Sequence, residues 1–443
     1  MRGVIARLLL PLATVVLSGA SVAPPAPAAL RSPAETVEVL WSTGQVRYRY
    51  DVDDEGRKHG VYQEFAQDGT QLLRARYKAD ALDGPYASFH ASGERFVSAK
   101  YRAGELDGKY TEYDERGETA VKASYKRGLL DGKRTFYVEG KIDGEQKWKQ
   151  GELQELDGFA PYPRPLAEIA AEQLAFRAQT PPRVELGEDN EDEFLRVERE
   201  RGLVRLKEYR ALMGLRWDDL ELDPDMDFHA QWGARLCAAI DRLDHTPANP
   251  GWPDDDYRKG YEGTSHSNLA TVDDAARSID MYMDDSDPSN IDRIGHRMHC
   301  IAGALKKTGF GCFSGYSAMW SMDRGGKPNK LDVAAYPPAG FVPVDRFGGR
   351  IAWSLSFDPG FRRVPDVEEL KIEVVRLDDR YRPDGAALAL DHLARLDGRT
   401  LVFRPVGVVV TPGARYRLRI DGLDGGKRGE PYQALVEFVK LAE

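Results

Sequence analysis

The stretch LDGPYASFHASGERFVSAKYRAGELDGKY, residues 82–110, contains one full period of an internal repeat. Glycines recur along the chain at a step of 24 residues, and tyrosines keep the same step. The glycines are Gly60, Gly84, Gly108 and Gly132, and the tyrosines are Tyr77, Tyr101 and Tyr125. Short alternating stretches lie between Asp-Gly and Ser-Gly pairs, a pattern typical of β-hairpins with glycine at positive φ in the tight turn. Because one hairpin cannot bury its own face, the repeat predicts stacked hairpins over residues 44–158.

This 24-residue period resembles the MORN-type repeat. The resemblance implies an elongated β-hairpin sheet that docks an envelope component or another protein and carries no chemistry of its own. A plain spacer is the alternative interpretation of the same sheet.

The N-terminus predicts export. Arg2 and Arg7 precede an apolar run at residues 8–17, and small residues follow at SVA and APA. These are the basic region, short apolar region and cleavage sites of a secretory signal peptide, here residues 1–28. The run is short for a bilayer span and Pro11 interrupts it, although an uncleaved anchor is the alternative. No later stretch is apolar enough to cross a membrane. We therefore expect a protein that is secreted or held at the cell envelope, in the periplasm or outside the cell.

Charge and cysteine content narrow the partners. The formal net charge of −10 and the lack of a basic stripe argue against nucleic acid as a partner, since phosphates would be repelled. Three cysteines are too few for a disulfide scaffold, and export permits one bridge. Cys300 with Cys312 is the favoured pair, which leaves Cys237 free.

The rest of the chain predicts two further domains after a linker. Prolines and the acidic GEDNEDE segment mark residues 159–193 as a linker with one short helix. Apolar residues at helical spacing then predict helices at 194–212, 226–243 and 273–283, and a loop rich in glycine, proline and aspartate is expected between the second and the third. Two β-like stretches follow, so residues 194–329 are expected to form an α-β-α sandwich. Five alternating runs predict an immunoglobulin-like β-sandwich over residues 330–443, with a helix at GAALALDHLARL. The expected class is α+β and multidomain.

The order of LDHTP, SNLA, SIDMYMDD and GHRMHC resembles the bacterial, SCP-like branch of the CAP superfamily, the cysteine-rich secretory, antigen 5 and pathogenesis-related proteins. The resemblance implies a CAP-like domain over residues 194–329, with two histidines and two acids in one cleft and a divalent metal in some members. The histidines fall on His245 and His296, and the acids on Ser267 and Asp285. Serine cannot act as a general base, so this acid–histidine set is incomplete.

The same residues can be weighed by their chemistry. Two neutral imidazoles and a carboxylate, from His245, His296 and Asp285, suffice to bind zinc or another divalent metal with water as fourth ligand. The two histidines are 51 residues apart, so their meeting depends on the fold. The structural alternative is that GHRMHC begins a helix capped by Ser289 or Asn290, with His299 incidental. In that interpretation Arg297 pairs with the acids of DDSD.

The sequence therefore gives one main functional hypothesis and two alternatives. The main one is an exported CAP-domain protein that acts as a binding module at the cell envelope, without firm catalytic residues. The first alternative is a metal-dependent envelope hydrolase that uses His245, His296 and Asp285 on a bound water. The second is a lipid-binding protein. A glycan partner is open as well, and enzyme activity is not favoured because no nucleophile motif or H-E-x-x-H helix occurs.

Overall fold

A computed structural model describes residues 35–328, 331–358, 360–425 and 430–441. The predicted signal peptide, residues 1–28, lies outside the described residues. The chain divides into two compact units, one up to Thr119 and one from Ala120 onward.

The first unit is an antiparallel sheet in which each strand pairs with the next one along the chain. Its strands are β1 (Glu35–Leu40), β2 (Val46–Val52), β3 (Lys58–Phe65), β4 (Gln71–Lys78), β5 (Ala81–Phe89), β6 (Arg95–Arg102) and β7 (Glu105–Tyr113). The predicted N-terminal sheet of β-hairpins is therefore confirmed. Its strands have the alternating pattern that the sequence shows between the glycines.

The glycines of the LDG motifs have a different role from the one predicted. Gly84 lies inside β5 rather than in a turn, with a φ of 126°. The pairing with β4 shifts register between Ala75 and Tyr77, so this glycine belongs to a β-bulge. A Cβ at Gly84 would lie 3.2 Å from the Arg76 side chain. The turns instead use Gly93 and Gly104, both at a φ of 89°.

The second unit begins with antiparallel strands of the same kind. They are β8 (Thr119–Lys126), β9 (Leu129–Leu130), β10 (Gly132–Val138), β11 (Lys141–Lys149) and β12 (Glu152–Leu156). Strand β8 pairs with β9 and β10, and β11 lies between β10 and β12.

Six helices and five short strands follow. The helices are α1 (Leu166–Gln179), α2 (Glu191–Leu212), α3 (Pro224–Ile240), α4 (Asp254–Ser265), α5 (Ala275–Asp284) and α6 (Gly295–Cys300). The strands are β13 (Glu221–Leu222), β14 (Ser267–Ala270), β15 (Lys307–Thr308), β16 (Phe310–Phe313) and β17 (Tyr316–Trp320). Helix α4 occupies a segment that the sequence predicted as a loop. Pro253 precedes the helix, and three aspartates lie in its first turn. Their negative charges interact favourably with the positive end of the helix dipole.

Strands β14, β17 and β16 form a sheet in that order, with helices packed on it. Leu269 and Ala318 belong to one buried cluster with residues of α3. Their chain neighbours Ala270 and Met319 belong to a second cluster with residues of α2 and α5. Because successive strand residues point to opposite faces, the two clusters lie on the two faces of the sheet.

The last part of the chain is β-structure. Its strands are β18 (Val333–Tyr336), β19 (Gly340–Pro343), β20 (Trp353–Phe357), β21 (Arg362–Arg363), β22 (Lys371–Leu377), β23 (Leu390–Leu396), β24 (Thr400–Pro405), β25 (Arg415–Asp421), β26 (Asp424–Gly425) and β27 (Tyr432–Val439). Two four-stranded sheets form, β18-β20-β24-β23 and β19-β27-β25-β22. The helix predicted at GAALALDHLARL is wrong, because the segment pairs as β23 with β24.

These observations confirm an α+β, multidomain chain with a large N-terminal antiparallel sheet and several smaller sheets. Among the described residues, no helix is both long and apolar enough to cross a membrane. The three cysteines are buried and free, so the predicted bridge between Cys300 and Cys312 is wrong.

Candidate functional site

The GHRMHC segment forms α6, but not with the cap that the sequence predicted. Ile294 precedes the helix in the left-handed conformation, and no side chain at that position caps it. The Asp285 side chain, which precedes the helix in the chain, caps it instead. Its Oδ2 accepts the backbone N–H groups of His296 at 2.9 Å and Arg297 at 3.2 Å. A cap from Ser289 or Asn290 is therefore wrong, and Asp285 provides the acceptor that the first turn needs.

The same carboxylate orients the His296 ring. Asp285 Oδ1 lies 2.9 Å from His296 Nδ1, and the Asp285 side chain is 1% exposed against 23% for His296. A carboxylate accepts only, so Nδ1 carries the proton and Nε2 of the neutral ring presents its lone pair. Tyr282 packs on the ring, with centroids 5.6 Å apart. Asp285 and His296 thus form a positioned pair.

His245 and His299 are held by analogous contacts. Nδ1 of His245 lies 2.9 Å from the carbonyl oxygen of Thr264, so it donates and Nε2 is left as an acceptor. Nδ1 of His299 lies 2.8 Å from Asn268 Oδ1. Burial lowers the pKa of His299, and positive charge on His296 and then on His245 lowers it further. Asn268 also donates to the carbonyl oxygen of His296 at 3.0 Å, so it links His299 to the first turn of α6. The convergence of His245 with His296 in one cleft stays a prediction.

Among the described residues, neither Ser267 nor His245 forms a hydrogen bond with His296 or Asp285. Ser267 begins β14 opposite Trp320 and is 3% exposed. Among the described residues its hydroxyl has no hydrogen-bond partner. Asn268, the next residue, faces the histidines instead, since its side chain donates to the carbonyl oxygen of His296 at 3.0 Å. Alternation along β14 places Asn268 on the face opposite Ser267, a signal in the sequence that could have identified this residue.

A cavity of about 270 Å³ opens beside His296 and Asp285. Acidic and apolar side chains line it together. They include Asp284, Asp287, Leu243, Met281 and Tyr282. The lining suits a small ligand that has hydrogen-bond donors and an apolar part, and its carboxylates disfavour an anion.

Arg297 fixes the loop that carries Asp285. Its guanidinium is 0% exposed and donates to carbonyl oxygens of Met283 at 2.8 Å and Ala352 at 2.9 Å. It also donates to the Ser354 hydroxyl at 2.9 Å and to the carbonyl oxygen of Asp284. The predicted pairing with the DDSD carboxylates is wrong, because backbone oxygens and a hydroxyl take its donors. The carbonyls of residues 283 and 284 are held directly before Asp285.

The described side chains do not form a ready-made metal site. In the described ranges, no three or more His, Cys, Asp or Glu side chains are grouped so that they could hold one. Asp285, moreover, already accepts three N–H groups. Binding of zinc or another divalent ion by His245, His296 and Asp285 stays a prediction.

The cysteines do not supply a nucleophile. Burial raises the pKa of Cys237 to about 11 and that of Cys300 to about 12, and it raises that of Cys312 well above its usual range. Thiols in such surroundings stay protonated and unreactive at neutral pH.

Comparison with known proteins gives no family for this chain. No protein-family model matches it, and no curated protein matches it. Solved structures that match include a TarM mutant of S. aureus in complex with fondaparinux, alpha-GlcNAc-glycerol and UDP. That match has 10% identity and a TM-score of 0.17, and it covers 28% of this chain and 21% of that chain. Another is a GtfA/B complex bound to UDP and GlcNAc, with 14% identity and a TM-score of 0.14, covering 27% and 23%. The chain thus spans less than a quarter of either structure.

These comparisons correct the family assignments made from the sequence. No CAP or MORN family model matches the chain. The CAP and MORN assignments are wrong, and so is the function that followed from them, an envelope binding module with metal-hydrolase and lipid-binding alternatives. The 24-residue repeat and the Asp285–His296 pair do not depend on those names.

Proposed function

We propose that the chain carries an acid–base site in which His296 Nε2 exchanges a proton with water or a ligand in the adjoining cavity. One observation carries this proposal: the buried Asp285 carboxylate accepts a hydrogen bond from Nδ1 of an imidazole that lines a cavity. Such a partner fixes the tautomer and the ring orientation, and it stabilises the imidazolium that forms after proton uptake.

Hydrolysis of a small neutral or cationic ester or amide is the reaction that suits this site. The described site offers no activated serine or cysteine, so water is the nucleophile. His296 Nε2 takes a proton from water as the water oxygen attacks the carbonyl carbon, and returns it to the leaving group. The carboxylates of Asp284 and Asp287 favour a neutral or cationic substrate over a phosphate ester.

The other predicted site residues have smaller roles. His245 is oriented by its Nδ1, which donates to the carbonyl oxygen of Thr264 at 2.9 Å, and it is given no catalytic role because the cavity beside His296 is lined by other described residues. His299 stays neutral as a consequence of its lowered pKa and therefore adds no positive charge beside His296. Ser267 is given no catalytic role, since it contacts neither His245 nor His296 by a hydrogen bond in the described structure.

Turnover of a panel of neutral and cationic chromogenic esters and amides tests the proposal. His296→Gln should reduce kcat/KM about 100-fold or more, and Asp285→Asn about tenfold or more. His59→Gln, which removes a half-exposed imidazole from β3, is the matched control and should leave turnover unchanged. Thermal melts of all variants separate loss of chemistry from loss of fold.

Two results would contradict the proposal. One is a wild-type rate no higher than that of His296→Gln across the panel. The other is loss of turnover on dialysis against EDTA, because that would require a metal.

We also propose that the central and C-terminal regions have the two sandwich architectures predicted from the sequence. The two clusters on the faces of β14-β17-β16 support the predicted central α-β-α sandwich. The rings of Trp353 and Tyr416, 6.5 Å apart, join the two C-terminal sheets and support the predicted immunoglobulin-like sandwich. The domain boundaries near residues 159, 194 and 330 and export through residues 1–28 stay predictions.

A further inference from the structure

A straight row of tyrosine and alanine crosses the sheet of the first unit. In the strand registers, Tyr62 pairs with Ala75, Ala75 with Tyr86, Tyr86 with Ala99, and Ala99 with Tyr110. The tyrosines therefore stand on β3, β5 and β7, one on every second strand. Neighbouring strands lie ~4.8 Å apart, so the tyrosines repeat at a step of about 9.5 Å.

Each repeat adds a second ring to this row. The Tyr77 ring lies 5.5 Å from that of Tyr62 at 60°, and the Tyr101 ring lies 5.4 Å from that of Tyr86 at 57°. The near-identical geometry shows that the 24-residue period sets the arrangement. All four rings are half-buried, so each keeps part of its surface open to solvent.

A row of polar groups runs beside the rings at the same step. Glu64 pairs with Leu73, Leu73 with Ser88, Ser88 with Val97, and Val97 with Glu112. Glu64, Ser88 and Glu112 each stand two residues beyond a tyrosine of the first row, so they share its face. Ring faces and oxygen acceptors thus alternate across one surface, which we call the tyrosine face.

We propose that the tyrosine face binds an extended, neutral β-linked polysaccharide that lies across the strands. Tyrosine rings offer flat apolar faces to the C–H side of a sugar, while carboxylate and hydroxyl oxygens accept from sugar hydroxyls. A disaccharide unit of an extended β-linked glycan is close in length to the two-strand step. An extended peptide repeats its same-face residues every ~6.7 Å and would fall out of step after one repeat.

Charge narrows the occupant further. Lys58 adds an ammonium 5.0 Å from the Tyr62 ring and 5.3 Å from the Tyr77 ring. Glu64 and Glu112, however, place two carboxylates on the face and so disfavour polyanions such as nucleic acid or sulfated glycans. Carboxylates in the middle of the face also disfavour burial in a lipid surface. The proposal is independent of the acid–base site, since it concerns different residues in the other compact unit.

Calorimetric titration of the full chain tests the proposal with two β-linked hexamers, of glucose and of N-acetylglucosamine. The α-linked glucose hexamer, which coils, and heparin, a polyanion, serve as comparison ligands. At least one β-linked hexamer should bind and the comparison ligands should not. Tyr86→Ala should weaken binding about tenfold, and Tyr86→Phe much less, because the ring is kept. Arg74→Ala is the matched control, since Arg74 stands on the opposite face of β4 and is exposed.

Several outcomes would overturn the proposal. Absence of binding of both β-linked hexamers at millimolar concentration by folded protein is one. Equal weakening by Tyr86→Ala and Arg74→Ala is another. Heparin binding that Tyr86→Ala abolishes would assign the face to a polyanion, and self-association that Tyr86→Ala abolishes would assign it to a second copy of the chain. Thermal melts of each variant confirm that the sheet remains folded.

Discussion

The surroundings of His299 lower the pKa of its imidazole. Burial lowers its pKa first, and the charges of His296 and His245 add to the effect. Its Nδ1 is held by Asn268 at 2.8 Å. Folding therefore favours the neutral imidazole. A charge on this ring would be desolvated and would face two further imidazoles.

This residue should make stability depend on pH. The unfolded chain takes up the His299 proton as pH falls through about 6.5, and the folded chain takes it up only at lower pH. The unfolded state then binds more protons, so the stabilisation is fully present above pH ~6.5 and is lost on acidification below it. We expect His299→Gln to flatten the fall in unfolding free energy by up to about 1.4 kcal/mol per pH unit in that window.

Urea denaturation between about pH 5 and about pH 7 measures the effect. Asp227 provides an internal reference, because burial raises its pKa to about 6 and its contribution has the opposite slope in both proteins. Parallel curves for wild type and His299→Gln would contradict the prediction.

At the scale of elements, two features are set by contacts far along the chain. Helix α6 is capped by Asp285, and the loop before Asp285 is held by Arg297. Strand β5 bends at a bulge whose glycine has a φ of 126°. In both features the decisive contact comes from a residue outside the helix or strand itself. A substitution at that contact therefore gives a specific test of each feature.

Arg297→Lys should destabilise the protein by about 3 kcal/mol or more, because an ammonium cannot reproduce the planar fork that reaches several oxygens at once. Arg293→Lys is the matched control. Arg293 is exposed and donates one bond, to the carbonyl oxygen of Ser289 at 3.3 Å, so we expect a change within about 0.5 kcal/mol. Chemical denaturation of both variants measures the difference, and equal losses would show that the buried fork is not what stabilises the loop.

Gly84→Ala should cost about 1–3 kcal/mol, since its φ is one that L side chains rarely adopt and Arg76 lies close to the added methyl. Gly295→Ala is the control. A Cβ at Gly295, the first residue of α6, meets nothing within 4 Å, so the change should be neutral or slightly stabilising. Thermal melts of the two variants compare the positions. A Gly84→Ala protein as stable as wild type would rule out strain at the bulge.

At the scale of the whole molecule, the end of the hairpin sheet in the second unit is bound to the C-terminal sheets. Leu153 and Leu156 of β12 share a buried cluster with Leu377 and Leu435. Asp157 accepts a charge-assisted bond from Arg417 at 2.7 Å. These contacts should make β12 and the C-terminal strands unfold together.

Leu156→Ala, at a side chain that is 1% exposed, should cost about 2–5 kcal/mol through the cavity it leaves. Native-state hydrogen exchange should then show faster opening of β25 as well as of β12. Val138→Ala is the control, because Val138 is 56% exposed and its truncation should change stability by no more than about 0.5 kcal/mol. Faster exchange in β12 alone would separate the two regions.

Much of the architecture was predictable because it is encoded locally. The 24-residue step predicted the antiparallel hairpins, since each strand pairs with its chain neighbour and alternation sets the face. Helical spacing predicted α1, α2, α3 and α5 within a few residues. Helix α4 and strand β23 were missed, because aspartates and prolines suggested a loop in one case and alanines and leucines suggested a helix in the other. Strand pairing overrode that local preference at β23.

The family and the site mark the limit of the sequence. An ordered set of short motifs suggested a CAP domain, yet no family model matches the chain. The prediction was wrong because short motifs constrain a fold only weakly. Asp285 and His296 were each selected from the sequence. Their bond depends on left-handed backbone at Asp285 and Ile294 and on Arg297 closing the loop.

By itself the sequence determined the features that depend on neighbours along the chain. These are the alternation in the strands, the helical spacing of apolar residues and the 24-residue step of the tyrosines. Tertiary structure alone decided that the Asp285 carboxylate is buried beside His296 and that Asn268 holds His299. Side chains that lie 11 and 31 residues apart along the chain meet only when packing elsewhere outweighs the entropy of closing the chain between them.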